Sequence, residues 1–269
     1  MLIGNTPLIK FNDIYIKLES YNLSGSIKDR VAKILLDKII NKLNKDSIVV
    51  VPSSGNLGIS IACLCSINNI NCEVIIPNNV SKERIKRLKM YNANLIYVSN
   101  MKEANEIAIN KSKQDNYFLI DQFNDINNVL THYNTTAIEI EKSLNIKVDF
   151  LVLGIGSGGT ISGVGKRLKE NNPYMKIIGV LPSNNSKIDG IGAGFKPSIL
   201  NEKIIDEIYY VDESSALKQM LFLYKNGINA GLSSGAVYDV CLKIKEKNHN
   251  KCIVTIFPDS VEKYLSIVL

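Results

Sequence analysis

The sequence predicts an α/β protein of two domains, each with a parallel-type sheet flanked by helices. Three observations point there. Short β-branched runs alternate with helical periodicity along almost the whole chain. The candidate strands are near-continuous apolar runs, as expected of strands covered on both faces. The 269 residues are 45% hydrophobic, enough for one large core or two moderate ones.

In chain order, strands are expected over residues 14–18, 47–51, 72–76, 94–98, 117–120, 148–153, 176–180, 207–211 and 252–257. The first expected helix is strongly amphipathic and runs from Ser26, as N-cap, to about Asn41. Further helices are expected over residues 56–66, 82–91, 102–113, 127–143, 159–170, 213–225 and 235–246. The expected domains are a smaller, mobile one over 34–128 and a larger, cofactor-binding one made of 1–33 and 129–269.

Composition excludes several classes of function. The net charge of +6 comes from scattered Lys and Arg, with no zinc-finger or helix-turn-helix spacing, so no nucleic-acid partner is expected. Aromatic residues make up 7% and Trp is absent, which also disfavours a base-stacking surface. No window carries the roughly 18 continuous apolar residues of a membrane helix, and the start MLIGNTPLIKF does not read as a signal peptide. Cys63, Cys65, Cys72, Cys241 and Cys252 read as buried small apolar residues of a reduced, cytoplasmic protein. With only two His, His132 and His249, no metal site is expected. His132 is expected to hydrogen-bond within the fold, and His249 to be exposed.

Three loops are rich in Gly, Ser and Asn, and in open α/β sheets ligands sit at the carboxyl ends of strands. Gly156-Ser157-Gly158-Gly159-Thr160 follows an apolar run and leads into a helix. Glycines let backbone N–H groups crowd round an anion, and the helix start adds a favourable dipole, so this is a phosphate cup; the alternative is a tight strand–helix turn. It lacks the Gly-Lys-Ser/Thr of a Walker loop. Ser53-Ser54-Gly55-Asn56-Leu57-Gly58 suits a carboxylate equally well as it suits simple N-capping. Lys28 falls in the first turn of a helix, where a cation opposes the dipole and the ammonium is easier to deprotonate. Alone, it could equally be an ordinary surface lysine.

The motifs taken together are more specific. IGNTPL (3–8), SGSIKDR (24–30), SSGNLGISIA (53–62), QFNDINNVLTHYNTTAIEI (122–140), GIGSGGTISGVG (154–165), DGIGAGF (189–195), GLSSGA (231–236) and FPDSVEKYLS (257–266) occur in this order. The set resembles the cysteine synthase (O-acetylserine sulfhydrylase) family and, more broadly, the pyridoxal-phosphate enzymes that include cystathionine β-synthase. The resemblance implies a fold type II, tryptophan synthase β-like architecture with pyridoxal 5′-phosphate in the cleft. It implies that Lys28 carries the cofactor as a Schiff base and moves the α-proton. Asn56 matches the residue on the cofactor's 3′ oxygen, Gly156, Ser157, Gly158, Gly159 and Thr160 the phosphate loop, and Ser233 the residue facing the pyridine nitrogen. Ser53, Ser54, Asn56 and Gln122 match positions that hold the substrate carboxylate, with Leu57 and Gly192 also on the substrate side. A hydroxyl at the pyridine nitrogen makes the cofactor a weaker electron sink than a carboxylate would, which favours loss of a β-substituent over transamination. The implied partners are a small amino-acid substrate and a second copy in a homodimer.

Two departures bear on substrate. Leu57 stands where the family usually has Thr, and Asp189 where plain cysteine synthases usually have Gln. A carboxylate beside the β-carbon could serve as base for water, or could instead cap a local turn. The expected reaction is therefore β-elimination or β-replacement on a small L-amino acid. O-acetyl-L-serine plus sulfide giving L-cysteine and acetate is the first reading. The alternatives are a cysteine lyase that releases sulfide and yields serine with Asp189 as base, or an O-phosphoserine or cystathionine β-synthase type of reaction. A non-catalytic regulatory role is disfavoured by the intact reactive lysine.

Overall fold

A computed structural model describes residues 2–184 and 186–268, with residues 267 and 268 described by backbone only. The expected domain ranges also run through residues 1, 185 and 269, which lie outside the described residues. The chain divides into two compact units: Met1–Ile27 with Phe123–Glu262, and Lys28–Gln122 with Lys263–Leu269.

The first unit is built on a six-stranded sheet. Its strands are β1 (Leu8–Phe11), β2 (Ile14–Leu18), β7 (Phe150–Gly154), β8 (Lys176–Pro182), β9 (Glu207–Val211) and β10 (Ile253–Phe257), in the order β1-β2-β10-β7-β8-β9. Every pairing is parallel except β1 with β2. The antiparallel β1 is absent from the expectations. It forms because Asn12 and Asp13 both take positive φ (48° and 58°) between the paired residues Phe11 and Ile14. That is the two-residue hairpin turn that matches strand twist and that Asn and Asp tolerate. Buried Leu151, Leu153, Ile161, Val164, Leu168, Ile177, Val254 and Ile256 close the core between this sheet and its helices.

The second unit carries β3 (Ile48–Pro52), β4 (Asn71–Pro77), β5 (Asn94–Val98) and β6 (Tyr117–Leu119) in the order β5-β4-β3-β6, all parallel. Its helices are α1 (Lys28–Ile40), α2 (Asn56–Ile67), α3 (Lys82–Met90) and α4 (Met101–Lys111). Both sheets thus have the near-parallel form that the apolar strands predict, and the strand positions agree within a few residues.

One expected helix is not uniform. Residues 127–143 form α5 (Asn127–Thr131), a π-helical turn (His132–Thr136) and α6 (Ala137–Ser143). In the first unit α7 spans Gly159–Asn171, α8 Glu213–Lys225 and α9 Leu232–Lys247; α10 (Leu265–Val268) lies in the second. All five cysteines are free and buried. Burial pushes the thiols of Cys63, Cys241 and Cys252 above their usual range, which makes them poor nucleophiles and poor metal ligands. Among the described residues no helix is long and apolar enough to cross a membrane.

Candidate active site

In the first unit, β7, β8 and β10 are adjacent and parallel, so the loops at their carboxyl ends share one edge of the sheet. The loop after β7 turns through Gly158 at φ 84° and enters α7 at Gly159 and Thr160. A β-carbon on Gly156 would collide with the carbonyl oxygen of Gly190, and one on Gly159 with the side-chain amide of Asn128. These glycines are required by packing as well as by backbone approach. Asn128 Nδ2 donates to Ser157 Oγ at 3.1 Å, and Thr160 Oγ1 lies 3.3 Å from His132 Nε2.

The Asp189-Gly190 turn passes beside Ser233, since a β-carbon on Gly190 (φ 95°) would sit 3.4 Å from Ser233 Oγ. Within this unit the structure therefore brings together the glycine loop, the DGIG turn and Ser233. Ser233, the second residue of α9, is 2% exposed, and its Oγ has no hydrogen-bond partner among the described residues. A buried hydroxyl left so costs about 1–3 kcal/mol unless a ligand completes it. Gly192 N–H donates to Ile155 O at 2.8 Å, which ties the turn to the end of β7 and commits that N–H to the fold. The side chain of Asp189 is exposed.

In the second unit, β3 and β6 are neighbours, and their carboxyl ends lead to residues 53–58 and to Gln122. Ser53 Oγ accepts from the N–H of Gly58 at 3.1 Å and of Gly55 at 3.3 Å. The N-cap of α2 is Gly55, which has no side chain, so Ser53 braces the loop from three residues before the helix, and its O–H is still a donor. Arg84 Nη1 donates to Ser54 O at 3.1 Å. The Leu57 side chain is 2% exposed and belongs to the core. Lys263, 3% exposed, donates from Nζ to Asn56 Oδ1 at 2.9 Å, which leaves Asn56 Nδ2 as the donor end of that amide.

Lys28 is the first residue of α1 and is half-buried. Burial of its ammonium lowers the pKa to about 8. The sequence suggests a helix-dipole cause for an easily deprotonated lysine; in the structure loss of solvent is the cause.

Comparison with known proteins agrees with this arrangement. The model of the pyridoxal-phosphate dependent enzyme family matches residues 1–259. The chain belongs to that family. It is 38% identical to cysteine synthase B of Campylobacter jejuni, over 98% of this chain and 95% of the relative. It is 34% identical to cystathionine beta-synthase of Apis mellifera, over 98% of this chain and 59% of that longer one. Among solved structures, a hydrogen sulfide-producing enzyme from Fusobacterium nucleatum superposes with a TM-score of 0.92 at 35% identity, covering 98% of this chain and 97% of that one.

As a pyridoxal-phosphate dependent enzyme the protein takes pyridoxal 5′-phosphate, and its residues fit that group. The buried Ser233 Oγ without a partner suits a ring nitrogen. The glycine loop at the start of α7 suits a phosphate, and a lysine with a pKa of about 8 suits an aldehyde. Sequence reasoning overlooked Lys263, Arg84 and Asn128, and read His132 as a bond within the fold without saying to what. Each of the four lay inside or beside a quoted motif or on a helical face, but nothing in a linear pattern says which loop such a residue will hold.

Proposed function

We propose that the protein catalyses β-replacement on a small L-amino acid: O-acetyl-L-serine and hydrosulfide enter, and L-cysteine and acetate leave. When bound, the cofactor withdraws electrons from the substrate α-carbon and eases loss of the β-substituent. The chain's own residues do the rest. Lys28, whose buried amine is easily deprotonated, would hold the cofactor aldehyde and would serve as the base for the substrate α-proton. Residues 156–160 would hold the phosphate, Asn56 would offer Nδ2 to the 3′ oxygen, and Ser233 would offer its hydroxyl to the ring nitrogen. The N–H groups at the start of α2, with Ser53, Ser54 and Gln122, hold the substrate carboxylate.

The observation that carries the reading is the partnerless, buried Ser233 Oγ beside the Gly190 turn. A hydroxyl there, in place of a carboxylate, would stabilise a protonated ring nitrogen less, which would favour elimination over transamination. The full-length relationship to cysteine synthase B supports it.

Asp189, next to Gly190, favours a second reaction: L-cysteine and water giving L-serine and hydrogen sulfide, with Asp189 taking a proton from water. The likeness to a hydrogen sulfide-producing enzyme supports it. Cytoplasmic location is supported by five free, buried cysteines, and a homodimer, as the family resemblance implies, is checked by light scattering. The purified protein is to be given O-acetylserine with sulfide, and separately cysteine alone, and the products identified. Cysteine formation in the first supports the main reading. Sulfide release in the second, abolished by Asp189→Asn while cysteine synthesis survives, supports the alternative. Turnover in neither, with the cofactor's visible band present, overturns both.

A further inference from the structure

The phosphate loop holds a dianion without a cation of its own. Residues 154–165 contain no Lys or Arg. Anion affinity then rests on oriented dipoles: N–H groups, the start of α7, and the hydroxyls of Ser157 and Thr160. A hydroxyl rotor helps only if its proton faces the phosphate, so something must fix the rotors.

Behind the loop, one face of the 127–136 segment presents Asn128, His132 and Thr136 at successive spacings of four, all 0% exposed. Asn128 Nδ2 donates to Ser157 Oγ at 3.1 Å. Since Nδ2 can only donate, Ser157 Oγ must accept there, and its proton turns elsewhere. His132 Nε2 lies 3.3 Å from Thr160 Oγ1, and His132 Nδ1 lies 3.0 Å from Thr136 Oγ1. A β-carbon on Gly159 would strike Asn128, and one on Gly163 would come within 2.9 Å of the His132 β-carbon. The two glycines, four apart on α7, let the backing segment press against the loop. The π-helical turn starts at His132, and such turns often mark functional positions.

We propose that Asn128 and His132 are positioning residues for the phosphate loop, setting the Ser157 and Thr160 hydroxyls so that both protons point at the cofactor phosphate. The inference rests on the assignment of residues 156–160 to that phosphate. The proposal assigns the polarity of each contact. Thr160 donates forward and accepts from His132 Nε2–H. His132 Nδ1 accepts from the Thr136 hydroxyl. This arrangement requires the proton of the His132 ring to sit on Nε2.

The test uses holoenzyme variants and two readouts: the cofactor dissociation constant from the visible band, and the 31P resonance of the bound phosphate. His132→Asn keeps an amide near Nδ1, toward Thr136, but cannot reach Thr160. His132→Gln places an amide near Nε2 and can. H132N is expected to weaken cofactor binding about tenfold, the worth of one hydrogen bond to a charged network, and to move the 31P resonance toward that of free cofactor. H132Q is expected to stay within about threefold of wild type with the resonance in place. Thr160→Val combined with H132N is expected to be no weaker than Thr160→Val alone, because His132 acts through Thr160. Equal losses in H132N and H132Q, no loss in either, or additive losses in the double variant overturn the proposal. A wild-type protein with no bound 31P signal overturns instead the parent assignment of the loop.

Discussion

Two strand–loop–helix turns look alike in sequence and differ in construction. Residues 154–160 and 53–58 both follow an apolar strand, are rich in Gly and Ser, and open a helix. In the first, glycines are demanded by close contact with neighbouring backbone and side chains, and the hydroxyls are held from behind by Asn128 and His132. In the second, a β-carbon on Gly55 would meet nothing within 4 Å, and Ser53 is bonded to the loop's own N–H groups. The first is a preformed cradle braced by a second helical segment. The second braces itself, with Lys263 and Arg84 as struts on single atoms. On the proposed assignment, the loop for a resident cofactor gains from being fixed before binding, whereas the loop for a transient carboxylate need only offer its N–H groups.

The sharpest way to break that contrast is a methyl group in each loop. Gly159→Ala drives its β-carbon into Asn128, and relief requires the backing segment or α7 to shift. A cost of about 2–3 kcal/mol is expected, so cofactor affinity falls about a hundredfold. Gly55→Ala enters open space at φ −133°, and affinity and activity are expected to stay within about twofold. Titration of apoprotein with cofactor reads both. If the two variants behave alike, the loops are not built differently.

The contrast also explains what could be read in advance. Period and apolar runs located the strands, because β-branched buried runs have few other uses in a chain with this alternation. The glycine loops and Lys28 were legible because their chemistry is local: a few consecutive residues form the turn, and the lysine starts its own helix. The braces were not legible. Asn128 reaches Ser157 across 29 positions and Lys263 reaches Asn56 across 207, and no periodicity encodes such pairs. The hairpin β1–β2 is faint in the sequence for a different reason. Its turn residues, Asn12-Asp13, are a known turn pair, but without Gly the signal was weak against the short run LIKF.

The next largest effect concerns Lys28. Only a neutral amine attacks an aldehyde, and burial sets this amine's pKa at about 8. The rate of cofactor uptake by apoprotein is expected to rise about tenfold per pH unit from pH 6 to 8 and then level off. Stopped-flow absorbance checks it. A rate that keeps climbing beyond pH 9 means an ordinary, solvated lysine. The stability sign follows from the same shift. The unfolded chain binds this proton more tightly than the folded one, so apoprotein stability rises with pH between about 8 and 10.5.

A smaller effect probes the strut on the second loop. Lys263→Met keeps the buried stem and removes the bond to Asn56 Oδ1. With Asn56 beside the cofactor's 3′ oxygen, as proposed, the amide could then turn its oxygen there, where two acceptors would repel. A shift of the visible band and a fall in kcat of about fivefold are expected, with partial recovery in Lys263→Arg. An unmoved band means that Lys263 serves stability alone.

The smallest effect on catalysis is expected at Leu57, although it marks the clearest departure from the family pattern. Read from sequence, the missing Thr hydroxyl could reshape carboxylate binding. In the structure the Leu57 side chain is 2% exposed and packed in the core, so only its N–H is available to a ligand. Leu57→Thr should then shorten a core side chain and bury a hydroxyl. That costs about 1–3 kcal/mol of stability, read as a lower melting temperature. The KM for the amino-acid substrate should move by less than about threefold, because N–H donation from the start of α2 is unchanged. A KM that falls tenfold would mean that the position-57 side chain faces the ligand. The self-braced loop would then read its substrate through side chains, as the cradle reads its phosphate, and the distinction between the two would fail at the place where it matters for substrate choice.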